Sequence, residues 1–187
     1  MYVDGTYVDD CYDNDDDYYC YYVNGFVRNN KLTLSEIGDK DMYIGTRQGA
    51  DYLLINDGSG FYTDESTARL PRPLLTTETG YVAVGDVTGD GLPDIVRAGF
   101  NTTSFVLVNS GFGTFTQGQI LGAGDYLDLE LADVDGDGDL DMVVGNARAG
   151  GGQTRLCLND GAGRFTDVTT PRMPVANYGD TSLALGD

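Results

Sequence analysis

Short apolar runs, separated by glycine-rich turns, recur along the chain. Residues 105–108 form a continuous apolar run, and residues 127–131 alternate leucine with acidic side chains. Both patterns are typical of β-strands, because successive side chains of a strand point to opposite faces of its sheet. In the clearest segment they predict four strands, near 81–85, 94–98, 104–109 and 114–117. No stretch shows a helical period, so the sequence predicts an all-β protein.

This pattern of strands and turns repeats with a period near 50 residues. Its clearest marker is the motif Asn-x-Gly-x-Gly, here called the Asn turn, which begins at Asn56, Asn109 and Asn159. A β-rich repeat of this length is typical of propeller blades or of another repeat array. Since each copy contains four predicted strands, four-stranded antiparallel blades of a β-propeller are the architecture that we expect.

Two segments share a nine-residue pattern of oxygen-bearing side chains. The first acidic loop comprises residues 86–94, and the second acidic loop comprises residues 133–141. Oxygen side chains occupy positions 1, 3, 5 and 9, and glycines occupy positions 4 and 6. Carboxylates crowded in this way repel one another unless a hard cation lies among them, and Ca²⁺ accepts about 6–8 oxygens at flexible angles. The sequence therefore predicts two Ca²⁺ sites.

The predicted ligands are the four side chains of each loop and the backbone carbonyl of position 7. They are Asp86, Thr88, Asp90, the Leu92 carbonyl and Asp94 in the first acidic loop, and Asp133, Asp135, Asp137, the Asp139 carbonyl and Asp141 in the second. The loops are not EF-hands, which need a glutamate at position 12 and flanking helices. Position 12 holds Arg97 in one and Val144 in the other. Because Thr88 replaces a carboxylate, we expect the first site to bind Ca²⁺ more weakly.

Two further copies of the loop are incomplete. Upstream, residues 36–41 are too few for the nine-residue pattern and include Lys40, so we expect weak or no Ca²⁺ binding there. Downstream, Asp187 follows an apolar stretch as the first ligand of another loop would, and it is a candidate ligand of a truncated site.

In these motifs the chain resembles the FG-GAP/VCBS repeats, which occur in integrin α-subunit propellers and in many secreted bacterial proteins. The resemblance extends over residues 32–187. It is carried by residues 85–86 and 94–96, by Asp133 and residues 141–145, and by the Asn turns at Asn109 and Asn159. It implies a β-propeller with Ca²⁺ in the loop between the first two strands of a blade. It implies no reaction, because such propellers serve adhesion, carbohydrate binding and, less often, enzymes.

The repeats divide the chain into five predicted segments. These are 1–31, a Tyr/Asp-rich β-hairpin segment or diverged blade; 32–78 (repeat 1), a blade with a degenerate metal loop; 79–126 (repeat 2) and 127–180 (repeat 3), the calcium-binding blades; and 181–187, the first strand of a further blade. Closed propellers have about 4–8 blades. We therefore expect either a longer polypeptide that supplies the other blades, which we rank first, or copies of the chain that complete a ring or a filament.

The charge of the chain bears on its partners. The 11 Lys+Arg residues are outnumbered by 30 Asp+Glu residues, which gives a formal net charge of −19 at pH 7. Nucleic-acid binding needs a basic surface and is not expected. No apolar run is long enough to cross a bilayer, so membrane insertion is not expected either.

Two smaller motifs concern covalent chemistry. Cys11 and Cys20 bracket an acidic, tyrosine-rich bend. They either form a disulfide or remain two free thiols, because geometry and the redox compartment decide whether the bond forms. Asn101 begins an N-glycosylation sequon on a predicted loop, which is either used or present by chance. Cys157 is expected to pack as a small buried apolar residue.

Two classes of function fit these features. The first is a non-catalytic, calcium-stabilised protein, extracellular or on the cell surface, that serves adhesion, partner binding or a surface or filamentous assembly and presents its loops to a protein or glycan. The second is an enzyme or a carbohydrate-binding lectin, or the non-catalytic propeller of a secreted polysaccharide-active enzyme. The chain has no histidine, which is the commonest general base. It also has no tryptophan, which is the best side chain for stacking on a sugar. We therefore favour the first class and expect no catalytic residues.

Overall fold

A computed structural model of the chain describes residues 40–46, 49–71, 78–146, 152–175 and 182–186, without the side chains of Asp125 and Leu127. The strands are β1 (Met42–Ile44), β2 (Tyr52–Asn56), β3 (Tyr62–Asp64), β4 (Thr79–Gly85), β5 (Asp94–Asn109), β6 (Phe115–Ala132), β7 (Asp141–Asn146), β8 (Arg155–Asn159) and β9 (Phe165–Asp167). Two one-turn helices, α1 (Ser66–Arg69) and α2 (Thr169–Arg172), follow β3 and β9. The predicted all-β fold is confirmed.

Repeats 1 and 3 have the same strand order. In repeat 1, β1 pairs with β2 and β2 with β3, all antiparallel. In repeat 3, β7, β8 and β9 pair in the same way. A one-turn helix closes each set. The period seen in the sequence is therefore a period of the structure.

Strand β5 folds back on itself. Sixteen extended residues would span about 50 Å, yet the backbone nitrogen of Asn109 lies 2.8 Å from Oδ1 of Asp94. The reversal occurs near Asn101, which has a φ of 54°. Across it, the Gly99 N–H donates to the Ser104 hydroxyl at 2.9 Å. β5 thus contains the two strands that the sequence predicts near 94–98 and 104–109.

Strand β6 connects two repeats. Its beginning pairs with the second arm of β5, where Phe115 lies opposite Asn109. Its end pairs with β7, where Ala132 lies opposite Asp141. The last strand of repeat 2 therefore continues into the first strand of repeat 3. The predicted boundary between residues 126 and 127 falls inside this strand, and it stays a prediction, as do the other segment boundaries.

Residues 182–186 do not lie in a strand. The Leu183 N–H donates a hydrogen bond to a carboxylate oxygen of Asp128, which is buried in β6. The same carboxylate is a hydrogen-bond partner of Tyr81 in β4. These five residues therefore lack the strand that the sequence predicts at 181–187, and residues 181 and 187 lie outside the described part of the chain.

The hydrophobic core lies between successive repeats. One cluster joins Leu53 of repeat 1 to residues of repeat 2, among them Ile95. The other joins Val96 and its neighbours in repeat 2 to residues of repeat 3, among them Met142. Ile95 and Val96 are adjacent in β5, and they enter different clusters because alternate side chains face opposite sides of a sheet. The sheet of repeat 2 is therefore buried on both faces, as a blade between two others is.

An ion pair is buried between repeats 1 and 2. Arg97 Nε lies 2.8 Å from Asp51 Oδ2, and both side chains are fully inaccessible to solvent. The hydroxyls of Thr79 and Tyr43 also donate to the Asp51 carboxylate. Burial and the negative charge of Asp51 raise the pKa of Tyr43 well above its usual value. The Arg97 guanidinium lies over the Phe105 ring at 5.0 Å.

In the described part of the chain, no helix has the length and apolar character that a membrane span requires. Several predicted features fall outside that part: the Cys11 and Cys20 pair, residues 36–39 of the degenerate loop, and Asp187.

Loss of one partner of the buried ion pair should be strongly destabilising. Asp51→Ala leaves the Arg97 charge buried without its counter-charge, and the free energy of unfolding should fall by about 3–5 kcal/mol. Glu65→Gln is the control, because the Arg69–Glu65 pair is partly exposed and such pairs contribute at most about 1 kcal/mol. Urea unfolding measures both losses. Equal losses in the two variants would contradict the prediction.

Candidate metal centre

The second acidic loop brings three of its predicted ligands together. One carboxylate oxygen each of Asp133, Asp135 and Asp141 lie within 4.8 Å of one another. Oxygens that share a Ca²⁺ at 2.3–2.6 Å can be at most about 5 Å apart, so this spacing fits a common ion. Asp133 and Asp135 are exposed whereas Asp141 is buried. The group therefore opens to solvent on one side.

Glycines give this loop its curvature. Gly136 and Gly138, at positions 4 and 6, have φ values of 81° and 97°, a region that side chains disfavour. Their N–H groups donate to the two carboxylate oxygens of Asp133, at 2.7 and 3.1 Å. A carboxylate has about four lone-pair sites, so these bonds leave Asp133 able to bind a cation.

The last residue of each loop, which is the ninth in the two acidic loops, is a carboxylate that binds the start of the Asn turn. In all three repeats its Oδ1 accepts the asparagine N–H at 2.8 Å. The pairs are Asp41–Asn56, Asp94–Asn109 and Asp141–Asn159. In repeats 2 and 3 this bond places the Asn turn against the acidic loop of its own repeat, and in repeat 1 it places the turn beside Asp41.

The first acidic loop has a similar backbone arrangement. Asp86 accepts the N–H groups of Gly89 and Gly91, each at 2.8 Å. The Thr88 hydroxyl and N–H both lie 3.1 Å from Asp94 Oδ2, so positions 3 and 9 are adjacent here too. Burial raises the pKa of Asp94, although its hydrogen bonds act in the opposite direction.

The two loops differ in how closely their carboxylates approach. Asp86, Asp90 and Asp94 form no three-carboxylate group of comparable compactness in the described residues. In both loops the fifth-position carboxylate accepts the N–H two residues later: Asp90 accepts that of Leu92 and Asp137 that of Asp139. Neither Asp90 nor Asp137 joins such a group, and the carbonyl ligands of Leu92 and Asp139 stay predictions.

The charge around the second acidic loop is mostly negative. Desolvation and then the neighbouring carboxylates, Asp137 first, raise the pKa of Asp139. Arg172 of α2 opposes them, because its guanidinium lies 3.3 Å from Asp135 Oδ2. The sequence motif missed Arg172, which lies 37 residues beyond Asp135 and carries no local signal of this contact.

Two other predicted sites lie among the described residues. Asn101 is exposed at the reversal of β5, and its glycosylation stays a prediction. Cys157 is a buried free cysteine, and burial raises the pKa of its thiol to about 11. Its side chain belongs to the core between repeats 2 and 3, in agreement with the expected packing role.

Comparison with protein families identifies the repeats. The sequence model of the FG-GAP-like repeat matches the chain at residues 37–97, 86–144 and 133–187. The overlaps between successive matches contain the first and second acidic loops. The resemblance inferred from the motifs is thereby confirmed. No curated protein matches the chain in sequence.

The buried ninth-position carboxylate should stabilise the fold even without a metal. The N–H groups of Asn109 and Val87 donate to the two carboxylate oxygens of Asp94, at 2.8 and 3.1 Å, so Asp94→Ala leaves both buried without this acceptor. With a chelator present, the free energy of unfolding should fall by about 2–3 kcal/mol. Asp90→Ala is the control, because Asp90 is exposed and should cost less than about 1 kcal/mol. Chemical unfolding in chelator checks this, and an Asp94→Ala loss as small as the control's would refute it.

Proposed function

Because the chain belongs to the FG-GAP-like repeat family, we propose that it is a calcium-stabilised extracellular β-propeller repeat protein that binds partners and catalyses no reaction. The observation that carries the proposal is the group formed by Asp133, Asp135 and Asp141, whose oxygens have the spacing of shared Ca²⁺ ligands. These residues belong to the second acidic loop, which joins the first two strands of its repeat, β6 and β7. Ordering this loop therefore orders the start of the blade.

The donor chemistry favours Ca²⁺ over other metals. All predicted ligands are oxygens, and the loops lack the histidine and thiolate ligands that zinc and copper prefer. The loops are partly exposed, and their carboxylates are held by backbone N–H groups. Such a site suits the modest affinity of extracellular Ca²⁺ modules, with Kd values of about 10⁻⁴–10⁻³ M. The unfolded chain has no formed site, so binding contributes directly to stability.

An exposed aromatic side chain near the first acidic loop supports a role in recognition. Phe112 is 89% exposed and has a φ of 53°, in the Asn turn of repeat 2. The Asn109 side chain donates to the Pro93 carbonyl, so this turn lies beside the first acidic loop. A positive φ costs a bulky residue about 1–2 kcal/mol, and Phe112 gains little packing within the described chain in return. An aromatic residue held in this way suits a binding surface.

The proposed ligand is a protein or a glycan. The assembly itself is completed either by further blades of a longer polypeptide or by copies of the chain. Carbohydrate binding is the second candidate, which the exposed Phe112 also favours, because sugar rings stack on aromatic side chains. A glycan-array screen with and without chelator separates the two. Calcium-dependent glycan binding would establish the lectin function, and a blank array would leave protein partners.

Calcium should bind at two sites and stabilise the fold. Calorimetry should show two sites, the weaker in the first acidic loop, where Thr88 replaces a carboxylate. The melting temperature should be higher in Ca²⁺ than in chelator, since an ion at 100 times its Kd adds about 2.7 kcal/mol. Asp135→Ala should remove the tighter site and most of its stabilisation.

Asp57→Asn is the matched control, because it removes an exposed carboxylate outside both acidic loops. It should leave both sites and the calcium-dependent shift of the melting temperature unchanged. Equal melting temperatures of the wild type in Ca²⁺ and in chelator would refute the proposed function.

Phe112 should be dispensable for folding. Phe112→Asn should leave the free energy of unfolding unchanged or raise it by up to about 1 kcal/mol, because asparagine tolerates positive φ. Phe115→Asn provides the contrast: Phe115 is buried in the core between repeats 1 and 2, and its loss should cost about 3–5 kcal/mol. Similar losses in urea unfolding would contradict an interaction role for Phe112.

A further inference from the structure

The side chain of Asn159 lies between the two acidic loops. It is buried, and its amide nitrogen donates to the Val87 carbonyl at 2.8 Å and to the Leu140 carbonyl at 3.1 Å. Val87 is the second residue of the first acidic loop, and Leu140 is the eighth residue of the second. Since an asparagine amide has two hydrogens, one amide spans both loops. Each of the two carbonyls belongs to a residue that stands between two predicted metal ligands.

The backbone of Asn159 strengthens this connection. Its N–H donates to Asp141 Oδ1 at 2.8 Å, so the same residue directly holds a predicted ligand of the second loop. The rest of its turn packs against the first loop. A Cβ added to Gly163 would lie 3.1 Å from Thr88 Cγ2, and one added to Gly89 would lie 3.0 Å from the Gly161 carbonyl. The contact therefore leaves little room for independent movement.

The other Asn turns make only the local part of this arrangement among the described residues. Asn56 and Asn109 donate to the carbonyls of Lys40 and Pro93, the equivalents of Leu140. Their side-chain oxygens accept the N–H of the glycine two residues later. Asn159 Oδ1 is buried and has no hydrogen-bond partner in the described structure. In repeat 3 the amide is thus oriented by the two loops and not by its own turn.

We propose that Asn159 is a positioning residue that couples the two metal sites, so that occupancy of either loop raises the affinity of the other. This inference rests on the proposed function. When the second loop is ordered, Asp141 and Leu140 are fixed in place, and their hydrogen bonds fix the position of Asn159. Asn159 then holds the Val87 carbonyl and with it the neighbouring ligands of the first loop. Conformational entropy lost on ordering one loop is not lost again for the other, and the coupling is reciprocal.

The expected coupling is at the low end of the usual range, about fivefold in affinity, because one side chain carries it. The measurement is the Ca²⁺ affinity of the first acidic loop, by calorimetry, with the second loop intact or disabled by Asp135→Ala. The second loop fills first because it is the tighter site, so with Asn159 present its occupancy should make the first site about fivefold tighter. In the Asn159→Ala background that ratio should fall to about one, while both sites still bind Ca²⁺.

Asn109→Ala is the matched control. This substitution removes the equivalent amide, which donates to the Pro93 carbonyl of its own repeat. The variant should retain the fivefold ratio. Asn159→Leu keeps the approximate size of the side chain and the backbone N–H bond but lacks the donor hydrogens and adds no charge, so it provides the same test if Asn159→Ala does not fold. A ratio near one in the wild type, or an unchanged ratio in a folded Asn159 variant, would overturn the coupling while the proposed function stands. Absence of Ca²⁺ binding in the wild type would overturn both.

Discussion

Each repeat depends on one hydrogen bond, between the carboxylate that ends its loop and the N–H of the asparagine that begins the next turn. The bond occurs at 2.8 Å in all three repeats, including repeat 1, where Asp41 accepts from Asn56 although the loop before it is degenerate. The carboxylate loses its hydration on burial, and backbone N–H groups replace the water. It thereby joins the loop, the second strand and the Asn turn into one unit, on which both the strand pairing and the metal ligands depend.

The repeats are stabilised together, because their apolar surfaces lie between them. Alternate side chains of β5 enter two different clusters, so both faces of the sheet of repeat 2 are buried. The Arg97–Asp51 pair lies within one of these interfaces, where hydroxyl donors compensate for lost water. A charge buried in this way favours one alignment of neighbouring repeats, since any other would leave it unpaired. Packing of this kind is the physical basis of an array in which each blade needs its neighbours.

The acidic loops add a second, ion-dependent level to this architecture. Their carboxylates are close enough to repel one another, and the chain as a whole carries a formal charge of −19. Backbone N–H groups relieve part of the repulsion, and Arg172 relieves a further part at Asp135. A bound divalent cation would relieve it most directly. If Asn159 couples the loops, the ion would act on the interface between repeats 2 and 3 as well as on one loop.

The sequence by itself determined the period, the all-β class, the family and the two acidic loops. These features are local: alternation defines strands, and glycines at positions 4 and 6 allow the positive φ values that the loop needs. Only the tertiary structure decided that Arg97 pairs with Asp51, 46 residues away, and that Asn159 reaches Val87, 72 residues away. Such partners meet because of how whole repeats pack against each other. No short segment encodes that packing, so neither contact leaves a pattern in the sequence around it.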